Sequence, residues 1–90
     1  MNVKNYWFII KWLDYDGDKD KTTLNSKSFS STIIAVSSLD DACKAAEKLV
    51  KLGVDVIELC GWFGEEWYKK ISSHIHHKIP VGYVIFKENK

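Results

Sequence analysis

Glu58, Cys60 and the run Gly61-Trp-Phe-Gly64 crowd the end of an apolar stretch, Val54 to Leu59, that reads as a buried strand. A carboxylate flanked by Ile57 and Leu59 needs a partner once a sheet covers it, and groups in that position are frequent acid–base catalysts. The other reading leaves Glu58 at a sheet edge facing solvent, or paired with a lysine such as Lys11. Cys60 lies two positions further on, hence on the same side of the strand. Beside the helix that follows, a thiol stands where reactive thiolates occur, and an inert half-buried thiol is the alternative. Spacing alone assembles no Cys/His/Asn triad.

Gly61 and Gly64 bracket Trp62 and Phe63 where the strand turns into that helix. Such a turn can cradle a small ligand, with backbone N–H groups beneath and aromatic walls above, and Ser37 and Ser38 end the preceding strand close by. The plainer reading is a corner that needs glycine for a positive φ, its aromatics spent on the core or on a contact between copies. Glu65 and Glu66 occupy the first turn of the helix, where they complement its dipole and disfavour an anionic ligand.

His74, His76 and His77 have the chemistry of metal ligands, and His74 and His77 would share a helix face at i, i+3, with Cys60 or Glu58 as further donors. Near a helix C-terminus the same histidines serve as solvated or capping groups, and no metal site is assigned. The acidic loop Asp14-Tyr-Asp-Gly-Asp-Lys-Asp20 suggests calcium but fails the EF-hand spacing. Starting at Asp14 puts glycine fourth and Asn25 twelfth; starting at Asp16 puts Lys21 sixth and Lys27 twelfth. A mobile surface loop is the expectation.

These groups need a scaffold, and its elements are legible. Tyr6 to Leu13 reads as an interior strand, apolar on both faces apart from Lys11, followed by a long polar connector from Asp14 to Ser30. Thr32 to Val36 is a second strand. Ser38 and Asp41 stand in capping-box register for a helix whose stripe is Leu39, Ala42, Cys43, Ala46, Leu49 and Val50, which places Cys43 in the core. Gly53 ends it and a third strand starts at Val54. A second helix runs from Glu65 to about His76, apolar at Trp67, Ile71 and Ile75, before Pro80 and a last strand from Val81 to Lys87.

The order β-β-α-β-α-β predicts a small, mainly parallel four-stranded α/β sheet in a single domain over residues 1–90, with both helices on one face. A ferredoxin-like α+β arrangement is the rival. Either leaves one sheet face without helices, while the first and last strands are apolar on both sides, Tyr6, Phe8 and Ile10 alternating with Trp7, Ile9 and Leu13 and Tyr83 and Ile85 with Val84 and Phe86, so a homo-oligomer is expected.

Composition narrows the function classes. Lysine and arginine together number 13 against 12 acidic residues, and every one of the 13 is lysine. A net charge of +1 gives no field for nucleic acid, and without arginine the usual bidentate reader of guanine is missing. No run approaches the roughly 20 apolar residues of a membrane span. Cys43 and Cys60 have no CxxC spacing, and the apolar run within Met1 to Lys11 is too short for a signal peptide. The expectation is a cytoplasmic protein without nucleic-acid or membrane partners.

The stretches Ile57-Glu-Leu-Cys-Gly-Trp-Phe-Gly64 and Ile79-Pro-Val-Gly-Tyr-Val-Ile-Phe86 resemble a family of small bacterial and archaeal proteins catalogued as domain of unknown function 6506. The resemblance runs from about Tyr6 to Phe86. It implies no activity or cofactor. Trp62 stands where that pattern often has glycine, and His74-Ile-His-His77 departs from it. The leading expectation is therefore a self-associating protein that binds a small molecule against Ser37, Ser38, Cys60, Gly61, Trp62, Phe63 and Gly64. An enzyme using Glu58 near Cys60, and a purely structural oligomer, are the alternatives.

Overall fold

The computed structural model describes residues 3–87, so residues 1–2 and 88–90 of the expected 1–90 domain lie outside it. Its elements are β1 (Asn5–Lys11), β2 (Lys21–Asn25), β3 (Ser30–Val36), α1 (Leu39–Leu52), β4 (Val56–Leu59), α2 (Gly64–His74) and β5 (Val81–Tyr83). They build one sheet in the order β2-β3-β1-β4-β5. The pairs β1 with β3, β1 with β4 and β4 with β5 are parallel, and only β2 on β3 is antiparallel. The ferredoxin-like alternative is thereby replaced by a parallel sheet with one antiparallel edge.

The α/β class holds, with five strands instead of four. β2 lies inside the stretch expected to be a long loop. Lys-Thr-Thr-Leu-Asn carries no apolar alternation because every one of its residues is exposed, and it becomes a strand because β3 offers it a free edge. The last strand is shorter than its apolar sequence suggests, ending at Tyr83. Its partner explains this: β4 stops at Leu59, which is in register with Tyr83, so nothing remains for residues 84–87 to pair with after Val84 N–H donates to the Leu59 carbonyl at 3.0 Å.

α1 forms where its caps placed it. Ser38 Oγ accepts from the Asp41 N–H at 3.0 Å, and Gly53 closes the helix in the left-handed region at φ 73°. α1 and α2 connect strands in the same direction across the sheet, so right-handed crossovers bring both to one face. There Ile9, Ile34, Val36, Ile57 and Leu59 from alternate strand positions meet Ala42, Ala46 and Leu49 of α1 and Ile71 of α2 in a single core. Half-buried Cys43 borders this core, and burial, together with Asp40 and Glu47, pushes its thiol up and keeps it uncharged.

The connector from Trp12 to Asp20 crosses over the carboxyl end of β3 and is tied down. Trp12 N–H donates to Val36 O at 3.0 Å and Ala35 N–H to Asp20 O at 2.8 Å. Two of its carboxylates turn inward on their own loop, Asp20 accepting from Asp16 N–H at 2.7 Å and Asp16 from Asp18 N–H at 2.9 Å, while Asp18 accepts from Lys48 of α1 at 3.4 Å. The opposite sheet face carries Tyr6, Phe8, Ile10, Ile33, Leu24, Val56 and Glu58 and has no helix on it.

Candidate functional site

β1 is central, and the chain leaves it first toward β3 on one side and then, through α1, toward β4 on the other. Ligands of open α/β sheets gather outside the carboxyl ends of strands at such a switch point. Here those ends supply Lys11 and Trp12 from β1 and Cys60, Gly61 and Trp62 from β4. The indoles of Trp12 and Trp62 meet edge to face with centroids 5.2 Å apart, and Lys11 Nζ lies 6.0 Å from the Trp62 ring. Both indoles are exposed, Trp62 by 65%.

The turn itself is built from glycines with different duties. Gly64 has φ 66°, where a side chain would be strained, and this lets the chain enter α2. Gly61 has no such conformation. A Cβ there would lie 2.9 Å from Cε2 of Phe86, so Gly61 makes room for a ring from the C-terminal segment. Phe63 is buried in the core, and Phe63 N–H donates to Cys60 O at 3.1 Å to close the turn. Ser38 caps α1, and Ser37 Oγ donates to Asp41 Oδ2 at 3.0 Å, so both serines serve the helix start.

Cys60, Gly61 and Trp62 with Phe86 therefore line one hollow, and Lys11, Trp12 and Leu13 with Trp62 an adjoining one. Lys11, Trp12 and Phe86 escaped the sequence reading. Trp12 and Trp62 stand fifty positions apart in the chain, and only the central placement of β1 beside β4 brings them together. The clue available in the sequence was that β1 is apolar on both faces, which marks a central strand whose end should border the site.

Glu58 projects from the open face. Its partner is not Lys11, because the strand period of two sends Lys11 to the opposite side of β1 from Tyr6 and Phe8. The Tyr6 hydroxyl donates to the Glu58 carboxylate instead. Phe29 tilts against Tyr6 with ring centroids 6.4 Å apart. Val3, Val56, Pro80 and Gly82 complete an apolar groove of about 510 Å³ around the pair. Cys60 borders the Trp62 hollow and not this groove, so the two residues considered together for catalysis face different spaces.

Burial, and then the hydrogen bond and charge of Glu58, push the Tyr6 phenol up from 10.0 to about 12. The folded protein thus holds this proton to higher pH than the unfolded chain does. The stabilisation is complete below pH 10.0 and is lost as pH rises through about 12. An ultraviolet titration of phenolate absorbance is expected to show a tyrosine step near pH 12 that disappears in Tyr6→Phe. A wild-type curve indistinguishable from that of the variant would reject the pairing.

The histidines do not converge. α2 ends at His74, and His76 and His77 both take φ 55°, so the i, i+3 face expected for His74 and His77 does not exist. His74 Nε2 meets Glu47 Oε1 at 2.5 Å and joins α2 to α1, while His77 Nδ1 lies 3.2 Å from Ser72 Oγ. Among the described residues no three His, Cys, Asp or Glu side chains are gathered as a metal site. The first turn of α2 carries Glu65 and Glu66 paired with Lys69 and Lys70 at 3.5 and 3.2 Å. All four are exposed, so these pairs add little to stability.

These features define a small α/β protein whose sheet is backed by helices on one face and open on the other, with an aromatic hollow at its switch point. The chain belongs to the Family of unknown function (DUF6506), which it matches over residues 4–90. No curated protein and no solved structure matches it. Among the described residues no helix is long and apolar enough to cross a membrane.

Proposed function

We propose that the protein is a self-associating binder of a small molecule with a flat apolar part, held against Trp62 and Trp12 beneath Lys11. The single observation that supports this is the exposed indole pair at the switch point, since water-facing tryptophans set edge to face offer a rigid apolar wall. Cys60 and the Gly61 backbone would form its floor. The free thiols Cys43 and Cys60 suit a reducing compartment such as the cytoplasm.

Self-association follows from the bare sheet face. Parallel sheets are covered on both faces, and β3, β1, β4 and β5 are parallel with helices on one side only. A second copy laid over Phe8, Ile10 and Ile33 would supply the missing cover. A second reading, acid–base chemistry by Glu58, draws on its placement beside Tyr6 in an apolar groove.

Native mass spectrometry of gently purified protein tests both parts at once. The expected spectrum is a multimer whose subunits carry an extra organic mass, and Trp62→Ala is expected to keep the multimer and lose that mass. A bare multimer would favour a purely structural assembly. A bare monomer would overturn the reading.

A further inference from the structure

Glu58 occupies an interior position of the sheet, in register with Phe8 on one side and Gly82 on the other. Its carboxylate is half-buried on the open face, between the Tyr6 side and Gly82. It carries roughly four acceptor positions on two oxygens. Tyr6 fills one of them with its hydroxyl. Apart from Tyr6, none of the other residues lining the groove carries a side-chain donor, and Glu58 is the charged group among them.

Gly82 leaves room beside the carboxylate. A Cβ at that position would meet nothing within 4 Å, so the space beside the carboxylate on the β5 side is open to a ligand. A half-buried carboxylate in an otherwise apolar trough is complemented best by a cation that brings its own N–H donors, because a charge-assisted hydrogen bond is stronger than a neutral one. Two aromatic rings, Tyr6 and Phe29, stand at the same trough, and aromatic faces also attract ammonium groups.

We propose that the groove over Tyr6 and Glu58 is a binding site for an organic ammonium ion, a primary or secondary amine on an apolar or aromatic body. The ammonium donates to Glu58, the body lies along Val56 and Pro80 above Gly82, and Tyr6 is a positioning residue that holds the carboxylate in place. The site is separate from the tryptophan hollow and does not rest on a ligand binding there. It shares the open face with Phe8, so it requires a second copy seated on Phe8, Ile10 and Ile33 to leave Tyr6, Glu58 and Gly82 uncovered.

Titration calorimetry at neutral pH with benzylamine as the probe, and benzyl alcohol and benzoate as controls, decides it. Benzylamine is expected to bind the wild-type protein at least about tenfold more tightly than benzyl alcohol, the factor a charge-assisted hydrogen bond supplies, and benzoate is expected not to bind. Glu58→Gln should remove that advantage. Gly82→Val, which keeps the charge and suits a strand, should abolish binding by filling the trough, with circular dichroism showing the fold retained. Trp62→Ala should leave benzylamine affinity unchanged, which separates this site from the tryptophan hollow. Absence of benzylamine binding to the wild type, equal binding by Glu58→Gln, or a lysine of a second copy found seated on Glu58 would each overturn the proposal.

Discussion

With the open face joining copies as proposed, Phe8→Glu is expected to leave a monomer, self-association being weakened at least about 100-fold. Phe8 sits at the middle of the open face on the central strand, in register with Ile33 of β3 and Glu58 of β4. Removing a central aromatic contact costs about 2 kcal/mol or more, and an unpaired charge buried between copies adds several kcal/mol. The new carboxylate would also lie on the strand beside Glu58, and repulsion adds to the loss. Because Phe8 points away from the helices, the monomer should stay folded. Sedimentation velocity and light scattering read the mass, and circular dichroism reads the fold. An unchanged multimer would mean that copies meet elsewhere.

The neighbouring position is expected to behave in the opposite way. Ile9 is fully buried on the helix side, between Ile34 of β3 and Leu59 of β4. Ile9→Ala should destabilise the fold by about 2–5 kcal/mol, from lost burial plus the cavity left under α1 and α2. That is a large part of the roughly 5–15 kcal/mol that holds a domain together. Urea unfolding at matched protein concentration measures it, the midpoint falling with little change in slope. A loss under about 1 kcal/mol would mean that the core collapses around the gap more freely than packed interiors do. The pair separates assembly from folding within one strand.

The helices and the central strands were legible because local chemistry decides them. α1 announces itself through Ser38, Asp41, the apolar stripe and Gly53, each acting within a few residues. β1 shows apolar residues at both parities, as a central strand with neighbours on both sides does. The one-sided placement of the helices followed from the order of elements and the handedness of crossovers. β2 was not legible, because a polar exposed segment acquires strand form only from the edge it joins. The extent of β5 was equally hidden, since it depends on where β4 stops.

For the candidate sites, residue order already put Trp62 at a strand end, whereas Glu58 stayed open between a covered carboxylate and a solvent-facing or Lys11-paired one until the register placed it on the open face beside Tyr6. What the chain alone determined was therefore periodicity and caps, set by interactions between residues close in sequence, and the uncovered face, set by element order and crossover handedness. The tertiary structure decided who meets whom: Tyr6 with Glu58, Trp12 with Trp62, Phe86 with Gly61, and His74 with Glu47. Those pairs depend on the order β2-β3-β1-β4-β5 and on the way α1 docks on α2. Strand order is a choice among packings of nearly equal local energy, resolved only when side chains distant in sequence bury against one another in a single core.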